Sequence, residues 1–269
     1  MRYKMLVIDL DGTLLNDDKN ISNENAYALK KAIDKGVKVV LCSGRARISI
    51  DRYLKQLDLI NKENYLVAHN GALIIKLDSN EYLLERKIKL EYVKELLKYV
   101  ENRNINTQIY LGDTIYVDKI TDRLEFERSK LNMNIEIVSK LAEDIDFDIH
   151  KISFFGEYEE LCKTKENIEL KYENTFNLFF SDPTFIEVSD IYSSKGIAID
   201  FLAKKLKYSK DEIISIGDSF NDLSMLKMGG LSVAVSNAPQ EIKNNVLYVT
   251  NNTNNENAIK EVIEKFIIV

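Results

Sequence analysis

The chain has 269 residues, a net charge of −6, 45% hydrophobic and 30% charged residues, which is enough apolar content for a large core in one big domain or two unequal ones. Lys and Arg form no concentrated blocks, which excludes nucleic acid as the main partner, and no apolar run reaches the ~20 residues that span a bilayer, so no membrane partner is expected. Two cysteines and two histidines supply neither a disulfide framework nor a His-based metal site; without a signal-peptide pattern, the expected location is cytoplasmic.

In chain order, Met5 to Leu10 reads as a buried strand that ends in two carboxylates, Asp9 and Asp11, followed by Gly12 and Thr13. Carboxylates at the mouth of an apolar strand need a cation or hydrogen-bond donors to stay ionised, although an Asp-Gly pair is also a common turn. Ser22 caps a helix through Ala26, Leu29 and Ile33, and Gly36 stops it. The strand VKVVLC ends at Ser43-Gly44-Arg45. A helix with Ile50, Tyr53, Leu54 and Leu57 on one face follows, and the strand YLVA closes at Asn70-Gly71. Alternating helices and fully apolar strands predict a parallel sheet covered on both faces.

From about residue 82 to 187 the rhythm changes. YLLE leads into a helix through Leu90, Val93, Leu97 and Val100, and TQIYLGDTIYVD alternates around a Gly112-Asp113 turn. A charged helix near Thr121 to Lys130, the strands IEIV and HKISFF, a helix from Glu159 to Asn167 and a pair around Asp182-Pro183 complete an α+β segment. Its aromatics Tyr110, Tyr116, Phe154, Phe155, Phe179 and Phe180 read as core. After Ser193 the first rhythm returns: a helix from Ser194 to Lys207, the strand IISIG ending at Gly217-Asp218, a helix with Leu223 and Leu226, the strand LSVAV, a short helix after Pro239, VLYVT, and a closing helix from Ala258 to Phe266. NNTNNEN at 251–257 reads as a polar connector. The middle segment is thus an insertion, giving a core of 1–82 and 188–269 and an inserted domain of 83–187.

Ligands of open α/β sheets sit at the carboxyl ends of the strands. Asp9, Asp11 and Asp218 lie at such ends and offer the hard oxygen donors that Mg²⁺ prefers. Lys195 stands in the first turn of a helix, where the macrodipole disfavours a cation; its placement makes sense if it meets anions, and otherwise it is a surface lysine. Ser43-Gly44 can cap a helix or hold a phosphate.

DLDGTLL at 9–15, SGR at 43–45, SKG at 194–196 and GDSFND at 217–222 resemble, in order and spacing, the four motifs of the haloacid dehalogenase superfamily. NGA at 70–72 and the insertion resemble its Cof-type phosphatases with a type II cap. The resemblance implies an α/β, Rossmann-like parallel-sheet core with an inserted α+β cap that selects substrate and acts as a lid. It implies Asp9 as nucleophile and Asp11 as general acid and base, with Mg²⁺ held by Asp9, Asp218 and the Asp11 carbonyl. Ser43, Gly44, Lys195 and Asn221 would hold phosphate, Leu10 would give its backbone amide, and Asp222 would orient Lys195 or a metal-bound water. Arg45 would touch substrate or pair with an acid, and His69 is expected to make a structural hydrogen bond. The implied partner is a small phosphorylated metabolite, the implied assembly a monomer or weak homodimer. A phosphomutase or a non-catalytic phosphometabolite-binding protein are the alternatives.

Overall fold

The computed structural model describes residues 2–60 and 62–268. The chain divides into two compact units, one of Met1–Gly44, Asp51–Leu84 and Ser194–Val269, the other of Arg45–Ile50 and Glu85–Ser193.

In the first unit, β1 (Met5–Ile8), β2 (Lys38–Cys42) and β3 (Tyr65–Ala68) come from the N-terminal part, with α1 (Asn23–Asp34) and α2 (Arg47–Gln56) between them. β4 (Leu73–Lys76) and β5 (Glu81–Glu85) extend the sheet beyond β3. The sequence reading stopped the sheet at Asn70-Gly71. In the fold these residues instead turn the chain back, so that β4 pairs antiparallel with β3.

The second unit follows in the chain. A six-stranded sheet in the order β10-β11-β9-β6-β7-β8 is built from β6 (Asn106–Leu111), β7 (Thr114–Val117), β8 (Asn134–Ile137), β9 (Lys151–Phe155), β10 (Phe176–Asp182) and β11 (Phe185–Asp190). The hairpin at Gly112-Asp113 forms, with Leu111 opposite Thr114 and Gly112 at φ 55°. Strand alternation divides the side chains between two faces. Ile109, Ile152, Phe154, Ile186 and Val188 form a core with Val93, Leu96 and Leu97 of α3 (Leu90–Val100) and Leu161 and Ile168 of a helix at Tyr158–Lys171. Tyr110, Ile115 and Val117 pack with Leu124 of α4 (Asp122–Leu131). A four-residue turn of helix, α5 (Leu141–Asp144), precedes β9; the longer helix at Tyr158–Lys171 is α6.

The chain then returns to the first unit with α7 (Lys195–Leu206), β12 (Ile213–Gly217), α8 (Leu223–Leu226), β13 (Leu231–Ala234), α9 (Gln240–Lys243), β14 (Tyr248–Val249) and α10 (Ala258–Phe266). The sheet order is β14-β13-β12-β1-β2-β3-β4-β5. Every residue of β1 is fully buried: Met5 and Val7 lie with Ala198, Ile199 and Leu202 of α7, and the alternate residues Leu6 and Ile8 point to the opposite face. A strand covered on both sides has no polar face, which is why it reads as a continuous apolar run.

Candidate active site

β12, β1, β2 and β3 are neighbours and mutually parallel, so their carboxyl ends share one edge of the sheet in steps of about 5 Å. Asp218 follows β12, Asp9 follows β1, Ser43 follows β2 and His69-Asn70 follows β3. β1 ends at Ile8 rather than Leu10, and the chain coils tightly: Thr13 and Leu15 donate their amides to the Leu10 carbonyl at 3.3 and 2.9 Å. Gly12 sits at φ 79°, and a Cβ there would stand 2.5 Å from Asp218 Oδ2, so only glycine allows the two turns to approach this closely.

Ser194 caps α7, its hydroxyl accepting from the Ile197 amide at 3.2 Å. This places Lys195 in the first turn, 1% exposed, with its ammonium 2.5 Å from Asp9 Oδ1 and 2.6 Å from Asp222 Oδ1. The other Asp222 oxygen accepts the amides of Asp218 and Ser219 at 3.0 and 2.9 Å. Both Asp222 oxygens are therefore committed, and its carboxylate orients Lys195 while pinning the start of the Asp218 turn. Asp218 Oδ1 accepts from the Thr13 hydroxyl at 2.6 Å.

Electrostatically the site is short of positive charge. Burial, then the charge of Asp222, push the Asp9 carboxyl well above the usual range, with Lys195 pulling the other way. Burial pushes Asp218 up to about 6 despite the Thr13 hydrogen bond. Burial also works against the charge on Lys195, but Asp222 and Asp9 more than offset it and hold the ammonium well above the usual lysine, as its two short contacts with carboxylate oxygens require. Ionised, three carboxylates against one ammonium leave two negative charges in a buried cluster. One ligand oxygen from each of Asp9, Asp218 and Asp222 lies within 4.8 Å of the others. Asp9 Oδ2 and Asp218 Oδ2 take no hydrogen bond from any described residue. Two uncommitted carboxylate oxygens and a deficit of two charges fit a divalent cation of the hard, oxygen-loving kind.

The structure brings Asp9, Leu10, Ser43, Gly44, Lys195, Asp218, Asn221 and Asp222 to this one edge. Ser43 is buried and donates its amide to the Val67 carbonyl at 2.9 Å, and a Cβ on Gly44 would meet the Asn70 carboxamide at 3.0 Å. Asn221 donates to Asn70 Oδ1 at 3.3 Å. Asp11, two-fifths exposed, pairs with Lys19 at 3.0 Å. Arg45 lies in the short segment that belongs to the second unit, and His69 is buried. Two participants were missed in the sequence. Thr13 was passed over as a turn residue, although its position directly after Asp-Gly was a usable signal. Asn70, at φ 54°, stands in the sequence as part of NGA at a strand end with no role of its own, and no local pattern announces its bond to a residue 151 positions away.

Parallel strands with this acidic, lysine-containing edge define a phosphoryl-transfer type of α/β enzyme, and similarity to known proteins agrees. A haloacid dehalogenase-like hydrolase family model matches residues 6–263; the chain belongs to that family, as a Cof-type phosphatase. It is similar to the 5-amino-6-(5-phospho-D-ribitylamino)uracil phosphatase YcsE of Bacillus subtilis, at 32% identity over 98% of this chain and 96% of that one. The phosphatase of the same description called YwtE, also from Bacillus subtilis, is 30% identical over 98% of each. Among solved structures, a haloacid dehalogenase-like hydrolase from Bacteroides thetaiotaomicron superposes with a TM-score of 0.91 at 29% identity, covering 99% of this chain and all (100%) of that one. Among the described residues, no helix is long and apolar enough to cross a membrane.

Proposed function

We propose that the protein is a Mg²⁺-dependent phosphatase of small phosphorylated metabolites that works through an aspartyl-phosphate on Asp9. The observation that carries the reading is the Lys195 ammonium held between Asp9 and Asp222 beside Asp218, at the edge where parallel α/β sheets bind ligands. The two relatives described as phosphatases of a phosphorylated ribitylaminouracil favour a phosphomonoester on a sugar-like alcohol as the substrate class.

Asp9 and Asp218, with the Asp11 carbonyl, would hold the cation, which supplies positive charge that lets a carboxylate approach a phosphate. Lys195, charged and fixed by two carboxylates, meets a phosphoryl oxygen without reorganising, and positioning with charge stabilisation is most of what phosphoryl transfer requires. The Ser43 hydroxyl, the Gly44 amide and Asn221 complete the phosphate cradle. An Asp9 oxygen forms a bond to phosphorus as the bond to the substrate alcohol breaks, and Asp11 gives its proton to the leaving oxygen. Asp11, now ionised, takes a proton from water as that water attacks phosphorus and releases Asp9. Residues 83–187 have the role of a substrate-selecting cap, a function suited to a sheet carrying Gln108, Lys151, Ser153, Glu187 and Ser189 on one face. Arg45 takes the part of a substrate contact. The compartment is the cytoplasm, where such metabolites are found.

The test is phosphate release from an aryl phosphate and from a set of sugar and sugar-alcohol phosphates, with Mg²⁺ and with chelator. Release that needs Mg²⁺ and disappears in Asp9→Asn is expected; turnover retained by a folded Asp9→Asn variant overturns the covalent mechanism.

A further inference from the structure

The polar connector NNTNNEN and the turn after β13 meet the site in an unforeseen way. Asn237 donates its side-chain amide to the Gly12 carbonyl at 2.8 Å, and its Oδ1 accepts the Asn254 amide at 2.9 Å. The side chain of Asn254, 6% exposed, donates one hydrogen to the Leu15 carbonyl at 3.0 Å and the other to Asp17 Oδ1 at 3.2 Å. Asn255 closes a two-point pair with Asp17, donating to Oδ2 at 3.0 Å and accepting the Asp17 amide at 3.0 Å. Three asparagines more than two hundred positions away thus grip the loop from Gly12 to Asp17 through five hydrogen bonds.

That loop carries Asp11, and Gly12 is wedged against Asp218. The Gly12 carbonyl is one peptide from the Asp11 carbonyl, so a donor that fixes the first also fixes the direction of the second. Asparagine suits the task because one planar carboxamide gives a donor and an acceptor together. Aspartate at 237 would set a carboxylate against the Gly12 carbonyl with no hydrogen to share, and alanine would leave it without the bond. Thr253 and Glu256 reciprocally cap the short turn of 3₁₀ helix that presents Asn254, and the Val235 amide ties the start of the Asn237 turn to the Gly217 carbonyl at 3.3 Å. The bracket is therefore anchored to the sheet at β13.

We propose that Asn237 and Asn254 are positioning residues for the cation-binding loop, holding Gly12 and Leu15 so that the Asp11 peptide and Asp218 present a preformed metal site. The inference rests on the cation reading given above. Residues that orient metal ligands from behind typically contribute ~10–100-fold in metal affinity or activity, and that is the effect expected here.

The experiment titrates Mn²⁺ alone into metal-free protein, by calorimetry and by the electron-spin-resonance signal of free Mn²⁺. Melting temperature in chelator is measured in parallel for wild type, Asn237→Ala, Asn237→Asp, Asn254→Ala, Asn255→Ala and Asp218→Ala. Asp218→Ala abolishes binding if the cation site is as described; if it does not, that reading fails first. With that control in hand, the Mn²⁺ dissociation constant rises ~10-fold or more in Asn237→Ala and Asn254→Ala, and further in Asn237→Asp. Asn255→Ala, which grips only Asp17, shifts it less than 3-fold. The half-activating Mn²⁺ rises in step, while kcat at saturating Mn²⁺ changes little. Folded variants with unchanged Mn²⁺ affinity, whatever their melting temperature, would reduce the bracket to scaffolding and overturn the proposal. If Asn237→Ala does not fold, Asn237→Ser and the Asn254 variants decide by the same criterion.

Discussion

Lys195→Met tests the electrostatic account most severely. The ammonium is 1% exposed, 2.5 Å from Asp9 and 2.6 Å from Asp222, whose side chains are 7% and 0% exposed. Removing one partner of a buried ion pair costs ~3–5 kcal/mol because the remaining charge is left uncompensated. Asp222 keeps its two backbone amides, so the loss falls mainly on Asp9. At roughly 2–4 °C per kcal/mol for a body of this size, melting in chelator drops by about 6–20 °C. Lys195 is held above its ordinary 10.5, so its contribution to the wild type is complete below that pH and is lost only as pH rises through the higher folded value. Between pH 5 and 9 the ammonium stays protonated in both states, so the lysine itself exchanges no protons on unfolding. The buried carboxyls are raised even with Lys195 in place; without its ammonium they rise further and hold more protons that the unfolded chain has released, so above about pH 4 the variant loses stability more steeply than wild type. The gap between wild type and variant therefore widens from pH 5 to pH 8, and Mg²⁺ narrows it by supplying the missing charge. Scanning calorimetry across pH, with chelator and with Mg²⁺, reads all three effects. A gap that is absent, or the same at every pH, would refute the reasoning.

Other expectations concern single contacts. Thr13→Val removes the 2.6 Å hydrogen bond to Asp218, a bond to a charged group worth ~1.5–3 kcal/mol, and should weaken Mn²⁺ binding while leaving Lys195 in place; an unchanged titration would contradict this. Burial pushes Asp218 up to about 6 in the cation-free protein, so protons compete with the cation, and the half-activating Mg²⁺ should climb as pH falls below 6; a value unchanged between pH 7 and 5 would contradict this. Gly196→Ala drives a Cβ to 2.5 Å from the Ser224 carbonyl oxygen, forcing α7 from α8; melting should fall by at least ~1–3 kcal/mol, and kcat should fall with it because Lys195 is the adjacent residue. In the second unit, burial holds His150 below 6.5, with Glu85 opposing. The unfolded chain therefore takes the proton first, and stability falls as pH drops through 6.5. His150→Gln should flatten that slope, as followed by hydrogen exchange in β9.

Much of the catalytic frame was legible because it is local. Fully buried strands must be apolar along their length, so β1, β2, β3 and β12 announced themselves, and the polar residues ending each one marked the edge where the site forms. The sequence allows Asp222 two roles; the structure commits its oxygens to Lys195 and to the amides of Asp218 and Ser219. What stayed hidden depends on pairing over distance. β4 is four residues following a turn, too short for periodicity to register. α5 is a single turn. The Thr13–Asp218 bond spans 205 positions and the Asn237–Gly12 bond 225, and nothing in a polar run such as NNTNNEN says which carbonyls its amides will find.

The claim underneath the rest is that Asp9 itself receives the phosphoryl group. Rapid acid quench during turnover, followed by borohydride reduction and peptide mass analysis, converts an acyl phosphate on aspartate into homoserine at that position. Homoserine at 9, formed only when substrate and Mg²⁺ are both present and absent in Asp9→Asn, is the expected result. Steady turnover with aspartate intact at 9 throughout, or the mark on another residue, would contradict it.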